Sequence, residues 1–210
     1  IVQQGSGLPG LDQSNARVTL LSDGSLTVHT GGSDIGTGLD TVCAKVAAEV
    51  LQADLNKVAV ISGDTDNTPF DTGAYASSGT YFSGHAALKA AEDLKKKILK
   101  NAAVMLDEPV EDLELEYPET VKGKKGSISF YKIAHKAESG AGSGQLIGDA
   151  PYVTHDTAIP YGAHFCQVVV NKRTGDLKIQ KYHAYMDCGT PINPELAEGQ
   201  VYGGVLKSIG

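Results

Sequence analysis

"SLTVHTGGSDIGTGLDTVCAKVAAEVL", residues 25–51, decides the fold. Its opening residues read as a strand. Glycines then fall at 31, 32, 36 and 38. From Leu39 the pattern changes: Leu39, Val42, Cys43, Val46, Ala47, Val50 and Leu51 recur at helical spacing. A strand that passes to a helix through a bare loop is one unit of a helix-on-sheet architecture. Cys43 reads as a small buried hydrophobe on that helix.

The reading extends outward in both directions. Upstream, "ARVTLL" (16–21) and "SLTVHT" (25–30) flank Asp23-Gly24, a strong hairpin signal. Downstream, "KVAVIS" (57–62) is a strand, followed by the polar loop "GDTDNTPFDTGAYASSGTYFSG" (63–84). A second helix is predicted over about 80–105, with Leu88, Ala91, Leu94, Ile98 and Ala102 on one side and lysines 95, 96, 97 and 100 on a solvated face. "LELEY" (113–117) alternates like a strand, "GKKG" (123–126) is a turn, and "SISFY" (127–131) returns beside it. "AESGAGSGQLIGDAP" (137–151) is glycine-rich and poorly periodic, and reads as a flexible excursion. Residues 162–187 form a long hairpin turning at Thr174-Gly175-Asp176. The last helix should span about 194–208, opening on Pro194. The order β-β-α-β-α, then β-rich, then β-β-α predicts an α+β fold with helices packed on mixed β-sheets. Two subdomains, about 1–110 and 111–210, follow from that division.

Composition narrows the function classes. With 41% hydrophobic residues in 210, the chain can build a real core. A net charge of -7 argues against a nucleic-acid surface. No apolar run approaches a membrane span, and no signal peptide opens the chain. Cys43, Cys166 and Cys188 form neither a metal motif nor a disulfide framework, which suggests a reducing cytoplasm. The six histidines are dispersed, so no metal ligand is assigned. Asp34, Asp64, Asp66 and Asp71 lack calcium-loop spacing and read as turn and cap residues. Ile1 and Gly210 look like cut edges of something longer.

Three segments carry chemistry. The loop at 31–38 exposes backbone N–H groups at a helix start, where an anion would fit. No Gly-Lys-Ser/Thr follows it, so it is not a Walker loop. The second loop, "GAYASSGTYFSG" (73–84), also precedes a helix and offers Ser77, Ser78 and Thr80 hydroxyls. The two loops either converge on one ligand or are ordinary helix caps. The third segment, "MDCGTPINPELAEGQVYGGVLKSIG" (186–210), places Gln200 beside Gly199, Gly203 and Gly204. Glycines inside a helix cost stability, so their presence suggests a close approach. Gln200 brings both a donor and an acceptor to it.

Together these segments resemble the second molybdopterin-binding domain of the xanthine dehydrogenase and aldehyde oxidase family. "GGSDIGTG" is similar to that family's Gly-Gly-x-Glu-x-Gly-Gln-Gly loop, "DTGAYASSGTYFSGHA" to its second cofactor loop, and "DCGTPINPELAEGQVYGG" to its Asp-x-Gly…Asn-Pro…Gly-Gln…Gly segment. The resemblance runs the whole chain, in order. It implies a molybdenum hydroxylase that inserts water-derived oxygen into a purine, another N-heterocycle or an aldehyde. Electrons would leave through iron–sulfur clusters to flavin (FAD) or another acceptor, on further domains or partner subunits. By the resemblance, Ile35, Gly36, Thr37 and Gly38 would touch the pterin of the molybdopterin-type molybdenum cofactor. Ala76, Ser77, Ser78 and Thr80 would hold it near its phosphate or nucleotide tail, and Gln200 would bond near the metal ligands or the pterin. Two positions depart from the family: Thr37 replaces its glutamine and Asp34 its glutamate. The family's catalytic glutamate lies in a later segment, so no catalytic residue is assigned and the isolated chain should be inactive. Two other classes compete: a self-contained phosphate-ligand enzyme, and a non-catalytic assembly or interaction module.

Overall fold

The computed structural model of the chain describes every residue except Ala141 and the side chain of Val2. Residues 7–156 form one compact unit, and residues 1–6 with 157–210 form another, which contains the short strand β1 (Val2–Gln3).

The larger unit is built on the predicted hairpin. Strands β2 (Gln13–Leu20) and β3 (Leu26–Thr30) pair antiparallel. Their turn needs Gly24 at φ 85°, and Asp23 accepts from both the N–H and the hydroxyl of Ser25. β3 runs on through the glycine loop into helix α1 (Leu39–Leu51), which buries Leu39, Val42, Cys43, Ala47 and Leu51. The chain returns as β4 (Val58–Ser62), parallel to β3. Helix α2 (Gly79–Leu106) buries Phe82, Ala86, Ala87, Ala90, Ala91, Leu94, Ile98 and Ala102. One sheet face, with Ala16, Val18, Leu20, Leu26 and Val28, joins these helices in a single core. The fold class is α+β with helices on a mixed sheet, as the sequence predicts.

The segment 107–146 differs from its predicted form. Strands β5 (Glu114–Glu116), β6 (Thr120–Lys122) and β7 (Ser127–Ser129) make a small antiparallel sheet. The returning strand then stops, and helix α3 (Phe130–Glu138) begins where "SISFY" was read as strand. Phe130, Ile133, Ala134 and Ala137 are buried on it, a short i, i+3, i+4, i+7 pattern.

The excursion predicted over 137–151 is corrected as well; Ala141, inside it, lies outside the described residues. Residues 147–153 are strand β8 (Ile147–Val153), which pairs antiparallel with β2 and completes the sheet order β4-β3-β2-β8. Its buried positions are Gly148, Ala150 and Tyr152. Two of these three are small, so hydropathy hides the alternation. The physical reason is close packing: a Cβ on Gly148 would sit 2.0 Å from the Ala90 carbonyl oxygen and 2.6 Å from Leu94 N. Because β8 belongs to the main sheet, the compact units part at 156/157 and not near residue 110.

In the smaller unit, β9 (Tyr161–Val170) and β10 (Leu177–Asp187) form the predicted long hairpin, with β1 on the other edge of β9. Helix α4 (Pro194–Ile209) follows, its start capped by Asn193, whose side chain accepts from Leu196 N at 3.3 Å. None of its residues is buried, and a Cβ on Gly199, Gly203 or Gly204 would meet nothing within 4 Å.

These contacts set a contrast. Gly148→Ala must displace backbone and should lower unfolding free energy by about 1–3 kcal/mol or more. Gly203→Ala fills open space inside a helix and should be neutral or stabilising by up to ~1 kcal/mol. Denaturant titration of both variants checks the pair.

Candidate functional site

Parallel pairing of β3 with β4 puts their C-terminal ends at one sheet edge. The loop after each opens a helix there: 31–38 into α1 and 63–78 into α2. Ligands of open α/β sheets collect at such an edge. β2 runs antiparallel, so its N-terminal end reaches the same edge.

The two loops are in contact. A Cβ on Gly31 would lie 2.1 Å from the Pro69 carbonyl oxygen and 2.8 Å from Asp71 Cβ, and one on Gly32 would lie 2.8 Å from Ser83 Oγ. Close approach of the second loop is thus what bars a side chain at 31, whereas Leu39 of α1 and Ser83 of α2 bar one at 32. Asp71 is the junction. Its carboxylate accepts from Ser14 Oγ at 2.5 Å, Ser83 Oγ at 3.0 Å and Gly73 N at 2.8 Å, tying β2, the loop and α2 together.

Residues 7–15 run beside the second loop as a strap. Asn15 Nδ2 donates to the Phe70 carbonyl at 2.7 Å. Gln13 exchanges hydrogen bonds with Thr72: its N–H donates to Thr72 Oγ1, and its carbonyl accepts from Thr72 N. Gly7 N donates to the Ala76 carbonyl at 2.7 Å. Buried Asp12 accepts from Leu8 N at 2.8 Å, and its carboxylate beside the Tyr75 phenol raises the phenol's pKa. No motif in the sequence announces this strap. Its signal was a polar side chain at an apolar position: Ser14 shares the buried face of β2 with Ala16, Val18 and Leu20.

The helix starts differ. At α1, Asp34 Oδ1 accepts from Gly36 N at 2.8 Å and Gly38 N at 3.1 Å, and Oδ2 accepts from Asp40 N at 3.4 Å. Partial burial pushes its pKa up, but the N–H bonds from Gly36, Gly38, Asp40 and Thr37 together outweigh that and hold the carboxyl below its ordinary value. At α2, Ser78 provides no cap; its hydroxyl donates to the Gly73 carbonyl at 3.2 Å and its N–H to the Tyr75 carbonyl at 3.1 Å. Ala76 (φ 49°) and Ser77 (φ 57°) approach that start in the left-handed region, a strained conformation for two non-glycine residues.

The edge therefore gathers Ile35, Gly36, Thr37, Gly38, Ala76, Ser77, Ser78 and Thr80. Ile35, Gly36, Thr37, Ala76, Ser77 and Thr80 are exposed, whereas Ser78 is buried. Gln200 lies in the smaller unit, exposed on α4. Asp34, Asp64 and Asp71 serve as turn and junction acceptors; Asp64 takes Asp66 N and Asn67 Nδ2. Among the described residues, no group of three or more His, Cys, Asp or Glu is placed to hold a metal ion. Beneath the first loop, burial and then the Asp40 charge push the Cys43 thiol up to about 12.

A parallel β-α-β pair with two glycine-bearing loops gathered at one sheet edge defines this α+β domain. The chain belongs to the molybdopterin cofactor-binding domain family, whose model matches residues 1–210. It is 58% identical over its whole length to the Escherichia coli K12 protein named "Probable hypoxanthine oxidase XdhD" and spans 22% of that protein. Its structure is similar to the reconstituted CO dehydrogenase from Oligotropha carboxidovorans, with a TM-score of 0.88, 28% identity and coverage of 96% of this chain and 27% of that one. It is also similar to quinoline 2-oxidoreductase from Pseudomonas putida 86, with a TM-score of 0.87, 26% identity and coverage of 97% and 28%. The family read from the three sequence motifs is borne out.

Two outcomes test this geometry. Asp71→Ala strands buried donors and should cost about 1–3 kcal/mol. With Ser14→Ala it should show a coupling of about 0.5–3 kcal/mol in a double-mutant cycle. At neutral pH, iodoacetamide should modify exposed Cys166 and Cys188 and leave Cys43 intact, as read by mass spectrometry.

Proposed function

We propose that the chain contributes part of the cofactor shell in the catalytic subunit of a molybdenum hydroxylase. The observation that carries the reading is the pairing of two contacting, glycine-bearing loops with two helix starts at one edge of a parallel strand pair. The substrate of the whole enzyme is a purine, another N-heterocycle or an aldehyde, and the 58% match favours a purine. When bound, the molybdenum cofactor supplies the redox centre for oxidation with water-derived oxygen.

The residues present fit such a group. α2 starts without a side-chain cap, so its first-turn N–H groups and helix dipole favour an anion such as the cofactor phosphate. Exposed Ala76, Ser77 and Thr80 border that start. Ser78 spends both its N–H and its hydroxyl inside the loop, so its part is to shape the loop. Ile35, Gly36, Thr37 and Gly38 would hold the pterin. Gln200, with a donor and an acceptor on one amide, would hydrogen-bond the cofactor. Electron acceptance would fall to iron–sulfur and flavin carriers on further domains or subunits. The assembly works in the cytoplasm; among the described residues no helix is long and apolar enough to cross a membrane.

This reading has direct consequences. The 210-residue chain purified alone should hold little molybdenum and oxidise neither hypoxanthine nor an aromatic aldehyde with an artificial acceptor. Elemental analysis and the oxidation assay check both; near-stoichiometric metal with turnover would move the whole active centre into this chain. In the full-length subunit, Gln200→Ala should cut turnover by about ten-fold or more while sparing folded yield, since a hydrogen bond to a charged partner contributes about 1.5–3 kcal/mol. Gly36→Leu, at φ 97°, should lower molybdenum content instead.

A further inference from the structure

One peptide unit, Ser6–Gly7, is held at both ends. Its carbonyl accepts from the Thr157 hydroxyl at 3.1 Å, and its N–H donates to the Ala76 carbonyl at 2.7 Å. The Thr157 oxygen in turn accepts from Ser6 N at 3.0 Å, and Ser6 N also donates to the Ala158 carbonyl at 2.9 Å. Thr157 thus clasps Ser6 from both sides, nearer than the 3.4 Å from its hydroxyl to the Ala158 carbonyl. The chain passes between the two compact units at this peptide and again at 156/157, so the clasp ties the two crossings together.

The far end of the peptide meets the second loop where that loop is strained. Ala76 and Ser77 stand at φ 49° and 57°, a conformation that persists only where the surroundings over-determine it. Ser78 bonds Tyr75 and Gly73 inside the loop, whereas the Gly7 N–H reaches Ala76 from outside it. No side chain fits at buried Gly7: a Cβ there would lie 2.3 Å from Phe82 Cε2 and 2.8 Å from Asp12 Oδ2. Downstream, residues 8–12 close a turn. Leu11 N and Asp12 N donate to the Leu8 carbonyl, Leu8 N to Asp12 Oδ2, and Gly10 N to the Thr154 carbonyl. The adjustable side of Gly7 is therefore upstream, at Ser6, where Thr157 acts.

We infer that Thr157 is a positioning residue for the second loop, acting through the Ser6–Gly7 peptide. A trans peptide is planar and stiff, so fixing its C=O fixes the direction of its N–H. Hydrogen bonds at the two ends of one amide also polarise it and strengthen each other. A hydroxyl at 157 thereby holds the carbonyl at 76, and with it the left-handed pair that leads into α2. This rests on the reading that the second loop holds the cofactor: the shape of the loop at Ala76 and Ser77 then sets how the start of α2 is presented to it. Thr157 touches no reacting atom in this scheme.

The test is hydrogen–deuterium exchange of the full-length subunit, read by mass spectrometry. Thr157→Val keeps the shape of the side chain and removes the hydroxyl. It should speed exchange of the Gly7 and Ser78 amides by about three- to ten-fold, the size of one hydrogen bond, while β2, β3 and the middle of α2 keep their rates. Thr157→Ser restores the hydroxyl and should return both amides to the unsubstituted rate. Unchanged exchange at Gly7 and Ser78 in Thr157→Val would overturn the proposal, because the effect of the clasp would then end at Ser6. Should Thr157→Val raise exchange throughout, Thr157→Ala takes its place and is read in the same way. A general rise in both variants also overturns the proposal, since the hydroxyl would then support the fold and not the loop. Molybdenum content of the unsubstituted subunit decides the cofactor reading separately; a subunit without metal ends that reading and leaves the exchange result standing.

Discussion

Close contact between α2 and the strand beneath it is the constraint on which the larger unit depends. A helix can lie this near a sheet only where both surfaces are small. The buried side of α2 supplies Ala86, Ala87, Ala90 and Ala91, and β8 supplies Gly148 with its missing Cβ. Leu94 and Ile98 then fill the space farther along the helix. Because α2 is anchored in this way, its start is held at the sheet edge where the loops gather. The core thereby sets the position of the candidate site.

Polar contacts finish what packing begins. Asp71 draws Ser14, Gly73 and Ser83 onto one carboxylate, and the strap at 7–15 holds the loop through Phe70, Thr72 and Ala76. A buried network of this kind is rigid when each donor has its acceptor. Two loops fixed before a ligand arrives lose less conformational entropy on binding it. The strain at Ala76 and Ser77 is stored in a segment braced from both sides, as functional loops allow.

Much of the architecture was legible in the sequence because periodicity changed sharply there. The hairpin, α1, α2, the long β9–β10 hairpin and α4 all follow from apolar spacing or turn residues. What escaped had weak hydropathy. β8 buries Gly148 and Ala150, which carry almost no apolar signal, and α3 is only nine residues long. The loops were recognised from glycine placement, but the reason for each glycine was not. Gly31 is pressed by the second loop and Gly32 by Leu39 and Ser83 of the two helices, whereas Gly36 and Gly38 curl round Asp34. No local pattern reveals that Ser14 and Asp71 meet, since the bond joins positions 57 residues apart.

That separation bears on the order in which the molecule takes shape. The hairpin β2–β3 and the helices form from neighbours in sequence, and such contacts close early. The bonds from 13–15 to 70–72 span a long stretch of chain and close a large loop, so they are expected to come after the β3–α1–β4 crossover has brought both ends to one edge. Ordering of the cradle is thus a late event in folding, dependent on elements already assembled. A nascent chain would expose both glycine loops unbraced until α2 had docked.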